Sequence, residues 1–395
     1  MDSIHRNVAL LAGCQAMLLA VNSTLIAING LAGLALAPMA SLATVPVTCW
    51  VIGGALTTAP ASLYMKRVGR QQGLLYGIAA GIPGILICGA ALWLQSFWLL
   101  CAGTLVMGGS NAFGQYYRFA AADAASADYR PTAISLVLAG GLVGGILGPA
   151  VSRVTVDALT PRFMGAYLAL IGFILVAIEL LRSTRLPEPP AHDASASGRP
   201  LAVIAAQPEF VVAVTSGAIG YGVMNFLMTS TPIAMGACGH PYDDAAWVIA
   251  SHVIGMFAPS FFTGRLITRL GVLPVMFAGA VLEVAAIAIA LSGVAVAHFA
   301  WSLVLLGMGW NFLYVGGTAL LTRTYRPEER AKAQGANEFV VFALMAVSSL
   351  SSGLVVTGAG WEKVNLLALP PLGVVMAAVL WLAWRGRARP DSVAA

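Results

Sequence analysis

Ser62-Leu-Tyr-Met-Lys66-Arg67-Val-Gly69-Arg70 and Gly264-Arg-Leu-Ile-Thr268-Arg269-Leu-Gly271 share one pattern, Arg-x-Gly behind a long apolar run, at an offset of 202 residues. The correspondence extends outward from these two stretches. Tyr129-Arg130-Pro131 reappears as Tyr325-Arg326-Pro327, and Asn111 has a counterpart in Asn311. Self-similarity over half a chain marks an internal duplication, so the fold is read as two related halves.

The composition says what kind of halves these are. Of the 395 residues, 59% are hydrophobic and 9% charged, with a mean hydropathy of +0.86. Soluble domains carry about 25% charged residues, so this chain cannot cover a water-facing surface. Soluble enzymes, nucleic-acid binders and disordered scaffolds are excluded, and an all-α polytopic membrane protein is expected. Apolar stretches of membrane-spanning length fall near 8–30, 39–62, 73–94, 97–119, 131–154 and 163–183. Six more fall near 209–231, 245–264, 272–294, 298–321, 333–357 and 363–384. The first span is read as retained, because no small-residue cleavage site follows a short apolar core. Between the sets, 184–208 holds Pro187, Pro189, Pro190, Ser195, Ser197, Gly198 and Pro200, the composition of a linker. The expected organisation is a bundle over 1–183, a cytoplasmic linker over 184–208 and a bundle over 209–395.

Charge gives the orientation. With the N-terminus inside, eighteen of the 21 Lys and Arg residues fall on cytoplasmic segments or adjoining helix ends; the exceptions are Arg153, Arg162 and Lys363. The positive-inside rule then places both termini in the cytoplasm. The net charge of +5 reflects this topology, with no nucleic-acid partner implied.

Parallel six-helix repeats joined by a cytoplasmic linker resemble the major facilitator superfamily. The two opening stretches are similar to its Gly-x-x-x-Asp-Arg-x-Gly-Arg signature, with Ser62 for the glycine, and Lys66 and Thr268 for the aspartates. The resemblance implies twelve spanning helices, alternating access, a lipid environment in a bacterial inner membrane, and a monomer. Catalysis is not expected, because no nucleophile–His–acid set, CxxCH or phosphate loop is present. No resident cofactor is expected either.

Two motifs bear on the substrate. Met224-Asn-Phe-Leu-Met228 lies in the seventh span and His252-Val-Ile-Gly-Met256 in the eighth. Residues four apart share a helix face, so each motif presents two donors together. With the seventh span ending near Thr231 and the eighth starting near Ala245, Met224 and His252 both fall roughly 10 Å below the outer boundary. Three thioethers and one imidazole, without a carboxylate, suit Cu(I) better than Zn(II), Mn(II) or Mg(II). The pair of motifs resembles that of the CcoA-type copper importers of the same superfamily. This resemblance implies copper as cargo, supply to haem–copper cytochrome oxidase assembly, and exchange with copper chaperones. Cys49 and Cys238 are candidate auxiliary thiols, while Cys14, Cys88 and Cys101 read as small apolar fillers. The loop from Met235 to Asp244, which holds Cys238 and His240, reads equally as a collecting site or an ordinary turn.

The surrounding sequence is similar to riboflavin transporters of the same branch. The alternative is therefore an organic-solute transporter of riboflavin-like or drug substrates, with Asn22, Tyr221, Trp310, Asn311 and Tyr314 lining its cavity. Elsewhere, Gly141, Gly144, Gly145 and Gly148 permit close helix packing in the fifth span. Arg67, Arg70, Arg269 and Asp123 are expected to latch helix ends. Glu283, in the ninth span, is an intramembrane carboxylate without an evident partner.

Overall fold

The computed structural model describes residues 3–39, 42, 45–186 and 198–387. Among these the chain is helical throughout. Ten stretches are long and apolar enough to cross a membrane, from Ile4–Leu36 to Arg330–Arg385. The last is two spans in one, because Gly360 breaks it with φ 81°. One further helix of spanning length, α2 (Val45–Val68), is diluted by Pro46, Thr57, Thr58 and Pro60. Large apolar side chains left bare by the protein, such as Trp93, Trp98, Leu354 and Trp384, are those that a lipid phase would cover.

The chain divides into two compact units. The first comprises Met1–Ser197 with Gln334–Phe342, the second Gly198–Ala333 with Ala343–Ala395. In the first unit α1 (Ser3–Leu36) packs on α7 (Arg130–Thr155) and α8 (Met164–Arg182), and α2 packs on α5 (Phe97–Gly114). Backbone contact is the cause. A Cβ on Gly140, Gly144 or Gly148 would fall within 2.0–2.5 Å of the α1 carbonyls of Ala12, Ala16 or Ala20. Likewise, Gly53 abuts the Leu105 carbonyl and Gly108 that of Trp50. In the second unit α10 (Pro208–Ala237), α11 (Tyr242–Phe257) and α13 (Val272–Ser292) all pack on α14 (Val296–Leu321).

The repeat read from the sequence is visible in the backbone. Gly69 and Gly271 each sit at a helix junction with nearly the same conformation, φ 91°, ψ 152° and φ 89°, ψ 160°. Only glycine holds that geometry without strain. The carbonyl of Trp50 meets Gly108 in one unit, and that of His252 meets Gly307 in the other.

Three expectations change. Residues 334–342, expected in the second half, pack with the first unit, where Glu338 pairs with Arg118 and Gln334 accepts from Arg70. The expected linker holds a short helix, α9 (Leu201–Ala205), and its residues 187–197 lie outside the described residues. The seventh span runs to Ala237 and not to Thr231. Pro232 lacks an N–H, but the Ser230 and Thr231 hydroxyls donate back to the Phe226 and Leu227 carbonyls, and the helix continues.

Candidate functional site

The longer α10 corrects the depth of the thioether ladder. Met224 lies thirteen residues before the end of α10, and His252 ten after the start of α11, roughly 20 Å and 15 Å from those ends. Both are deeper than expected and no longer level. Met224 and Met256 are buried, His252 is fully buried, and Met228 is only partly covered. Among the described residues, no three His, Cys, Asp or Glu side chains group closely enough to hold a metal ion.

His252 is held by α14. Its Nδ1 stands 2.7 Å from the Leu303 carbonyl, which can only accept, so Nδ1 carries the proton. Its Nε2 is buried and has no partner. Leu303, Gly307, Trp310 and Tyr314 recur at helical spacing and share one face of α14. Where α11 crosses that face, Gly307 would clash with Met256 N and His252 O if it carried a Cβ.

Farther along the same face is an aromatic cluster. Trp310 and Tyr314 stack at 5.0 Å between ring centroids, with 19° between planes. Tyr221 of α10 meets both edge-on at 5.4 Å, and Phe257 of α11 meets Trp310 at 5.7 Å. Trp310 is 2% exposed, yet its indole N–H has no partner. The arrangement joins stacked apolar faces to an unused donor, Trp310 Nε1, and an unused ring nitrogen, His252 Nε2. Three of the five residues expected to line an organic-solute cavity, Tyr221, Trp310 and Tyr314, are brought together. Sequence reading missed Phe257, whose only signal was its place beside Met256.

The two asparagines belong elsewhere. Asn311 Nδ2 donates to the Met256 carbonyl and to Ser260 Oγ, and its Oδ1 accepts from Thr263 Oγ1. Asn311 is therefore saturated, fastening the interruption between α11 and α12 (Ser260–Leu270) to α14. Asn22 donates to Asn111 Oδ1 at 2.9 Å in the first unit. Of the expected latches, Arg70 pairs with Asp123 at 2.7 Å. Arg67 and Arg269 are exposed and make no ion pair among the described residues. Glu283 of α13 is fully buried against Gly220 of α10 and Gly309 of α14, and neither carboxyl oxygen has a partner. Cys238 is exposed at the end of α10, whereas Cys49 is half-buried on α2.

Comparison with known proteins agrees with this architecture. The family model described as Major Facilitator Superfamily matches residues 8–239 and 213–395. The chain is 40% identical over 378 residues to the riboflavin transporter RfnT of Brucella anthropi, covering 94% of each protein. It is 27% identical to the uncharacterized MFS-type transporter YdeG of Bacillus subtilis, over 88% of this chain and 84% of that one. Among solved structures, FucP in its outward conformation superposes with a TM-score of 0.80 at 15% identity, over 96% of this chain and 99% of the other. A bacterial homologue of the iron transporter ferroportin, in the outward-facing state, gives 0.73 at 12% identity, over 97% and 100%. At such identities the two structures speak for the fold alone.

Proposed function

The chain belongs to the major facilitator superfamily, and from that premise we propose that it carries a flat heteroaromatic solute of the riboflavin kind across the bacterial inner membrane. The observation that carries the proposal is the cluster of Tyr221, Phe257, Trp310 and Tyr314 around an unpartnered indole N–H. A heteroaromatic ring offers π-faces to stack on and edge carbonyls to accept from such a donor, and each aromatic pair contributes about 0.5–1.5 kcal/mol beyond burial. The 40%-identical relative, itself named a riboflavin transporter, supports the same class. The bundle works as a monomer, by alternating access, with both termini cytoplasmic as the charge asymmetry indicates. The test is uptake of labelled riboflavin by riboflavin-auxotrophic bacteria expressing the protein. Trp310→Ala should lower uptake at least tenfold at normal membrane abundance. Trp310→Phe, which keeps the ring and removes the N–H, should fall between. No uptake above the empty vector by the wild-type chain would end this reading.

One observation favours a second cargo, copper. His252 donates from Nδ1 to a carbonyl and leaves Nε2 open, the arrangement in which a metal-binding imidazole is normally held. Met224, Met228 and Met256 would supply soft thioethers for Cu(I). Copper chaperones and oxidase assembly would follow as partners and destination. Met→Leu nearly conserves volume and costs under about 1.5 kcal/mol in packing, so it separates ligation from bulk. Cellular copper that depends on the gene, and that falls in Met224→Leu, Met256→Leu and His252→Leu at unchanged abundance, would establish this cargo over the flavin.

A further inference from the structure

We infer that the second unit holds a binding site for the phosphate headgroup of an anionic phospholipid. It lies at the end of the bundle where α10 and α13 start and where α14 and the final span, beyond Gly360, finish. A cavity of about 580 Å³ lies there, within the ~300–1,000 Å³ range of small-molecule sites. The first turns of α10 and α13 line it, with Arg323 just past α14 and Arg385 of the final span. All of these residues belong to the second unit.

The charge balance selects an anion. Arg323 and Arg385 make no ion pair among the described residues. Arg385 lies over the Trp381 ring at 5.4 Å, a contact that uses the flat face of the guanidinium and leaves its N–H edge open. The dipoles of two helix starts and two helix ends offset each other. Two guanidinium groups against one carboxylate, Glu209, therefore leave the cavity positive. Neither α10 nor α13 has a side-chain cap, so their first-turn N–H groups add donors suited to an oxyanion.

The lining changes character with depth, and that profile points to a lipid and not to a soluble anion. Leu320 and Leu382 line the cavity one turn deeper than Arg323 and Arg385, and both are buried. A charged rim above an apolar wall matches a phosphate joined to acyl chains. Trp381 and Trp384 are exposed within a turn of Arg385, and tryptophan in a membrane protein marks the level where hydrocarbon meets headgroups. In the orientation proposed above this is the cytoplasmic leaflet, where basic pockets between helices bind anionic headgroups.

The experiment mixes the full-length protein in detergent with dioleoylphosphatidylglycerol, dioleoylphosphatidylcholine or inorganic phosphate. Bound lipid is read by native mass spectrometry and melting temperature alongside, so the outcome is independent of the transported cargo. Phosphatidylglycerol is expected to bind and raise the melting temperature, and neither phosphatidylcholine nor phosphate to match it. Arg323→Gln and Arg385→Gln should each weaken binding about fivefold, and about thirtyfold together. Glu209→Gln should tighten it, which loss of a merely structural side chain would not do. Arg182→Gln combined with Arg265→Gln removes as much charge from exposed positions outside the cavity and should bind as wild type. Should the double cavity variant fold poorly, the wild-type lipid comparison and Glu209→Gln decide. Equal binding of phosphatidylcholine, no tightening in Glu209→Gln, or equal weakening in the Arg182 and Arg265 pair would overturn the proposal. So would inorganic phosphate that raises the melting temperature as much as the lipid does, since the site would then serve a soluble anion.

Discussion

At the scale of the residue, the least legible feature was a charge pair. Arg118 read as one more cytoplasmic arginine and Glu338 drew no notice, because their partnership spans 220 positions and has no local signature. The structure buries both almost completely, at 1% and 0% exposure. Arg118 also donates to the Gln115 carbonyl and lies over the Phe119 ring, while Glu338 accepts from Asn337. Removing one member leaves the other charge buried without its counter-ion, which costs roughly 3–5 kcal/mol. Glu338→Ala should therefore lower the melting temperature and membrane abundance sharply. The double replacement Arg118→Met with Glu338→Leu should recover most of the loss. If the single and double variants melt alike, the pair is not what holds residues 334–342 to the first unit. His252, by contrast, stood out in the sequence, because a histidine is rare in an apolar span, and the structure buries it fully with Nδ1 on the Leu303 carbonyl. Asn311 was misread for the converse reason: its three hydrogen-bond partners come from a helix interruption that sequence does not display.

At the scale of the element, small residues at helical spacing announced close packing in α7, but not its line of contact. The sequence drew attention to Gly141, Gly144, Gly145 and Gly148. The structure makes the seam from Gly140, Gly144 and Gly148 against Ala12, Ala16 and Ala20 of α1. Which glycines face the partner depends on helix phase, and phase is set by the neighbour, whose own alanines carry no local signal in the sequence. A side chain at Gly144 would begin 2.1 Å from the Ala16 oxygen, and no rotamer relieves a clash between backbones. Gly144→Val should cost at least the roughly 1–3 kcal/mol typical of overpacking, seen as lost folded yield in size-exclusion profiles from detergent extracts. Gly172→Ala is the contrast, because nothing lies within 4 Å of the added carbon. It should be neutral or slightly stabilising, since alanine is the better helix former. Equal damage from both would mean that α1 and α7 do not pack along this seam.

At the scale of the whole molecule, the duplication and the long apolar helices could be read from the chain, because each is a periodic or compositional property. How the linker ends are tied could not. On the first unit, Asn7 donates to the Arg185 carbonyl and accepts from the Arg185 N–H, and Gln71 donates to the Leu181 and Thr184 carbonyls. On the second unit the tie is ionic. Arg199 reaches Glu329 at 2.7 Å and donates to the Thr324 carbonyl, while Lys332 donates to the Arg199 carbonyl. Hydrogen bonding from Arg199, helped by the backbone N–H groups of Arg326 and Arg199, outweighs burial and holds the Glu329 carboxyl down to about 2. A carboxylate whose folded value lies below its ordinary value of 4.5 stabilises the fold fully above that ordinary value. The contribution disappears as pH falls through the folded value. Arg199→Gln should consequently melt below the wild type at pH 6, with the gap narrowing from pH 4.5 down to 2 as Glu329 protonates in both. Lys332→Gln, which removes a donor to a carbonyl and leaves the pair intact, should show a gap that stays constant over that range. Melting curves of the purified protein across pH decide it: a constant gap for Arg199→Gln would mean that Glu329 is not the titrating anchor of the linker.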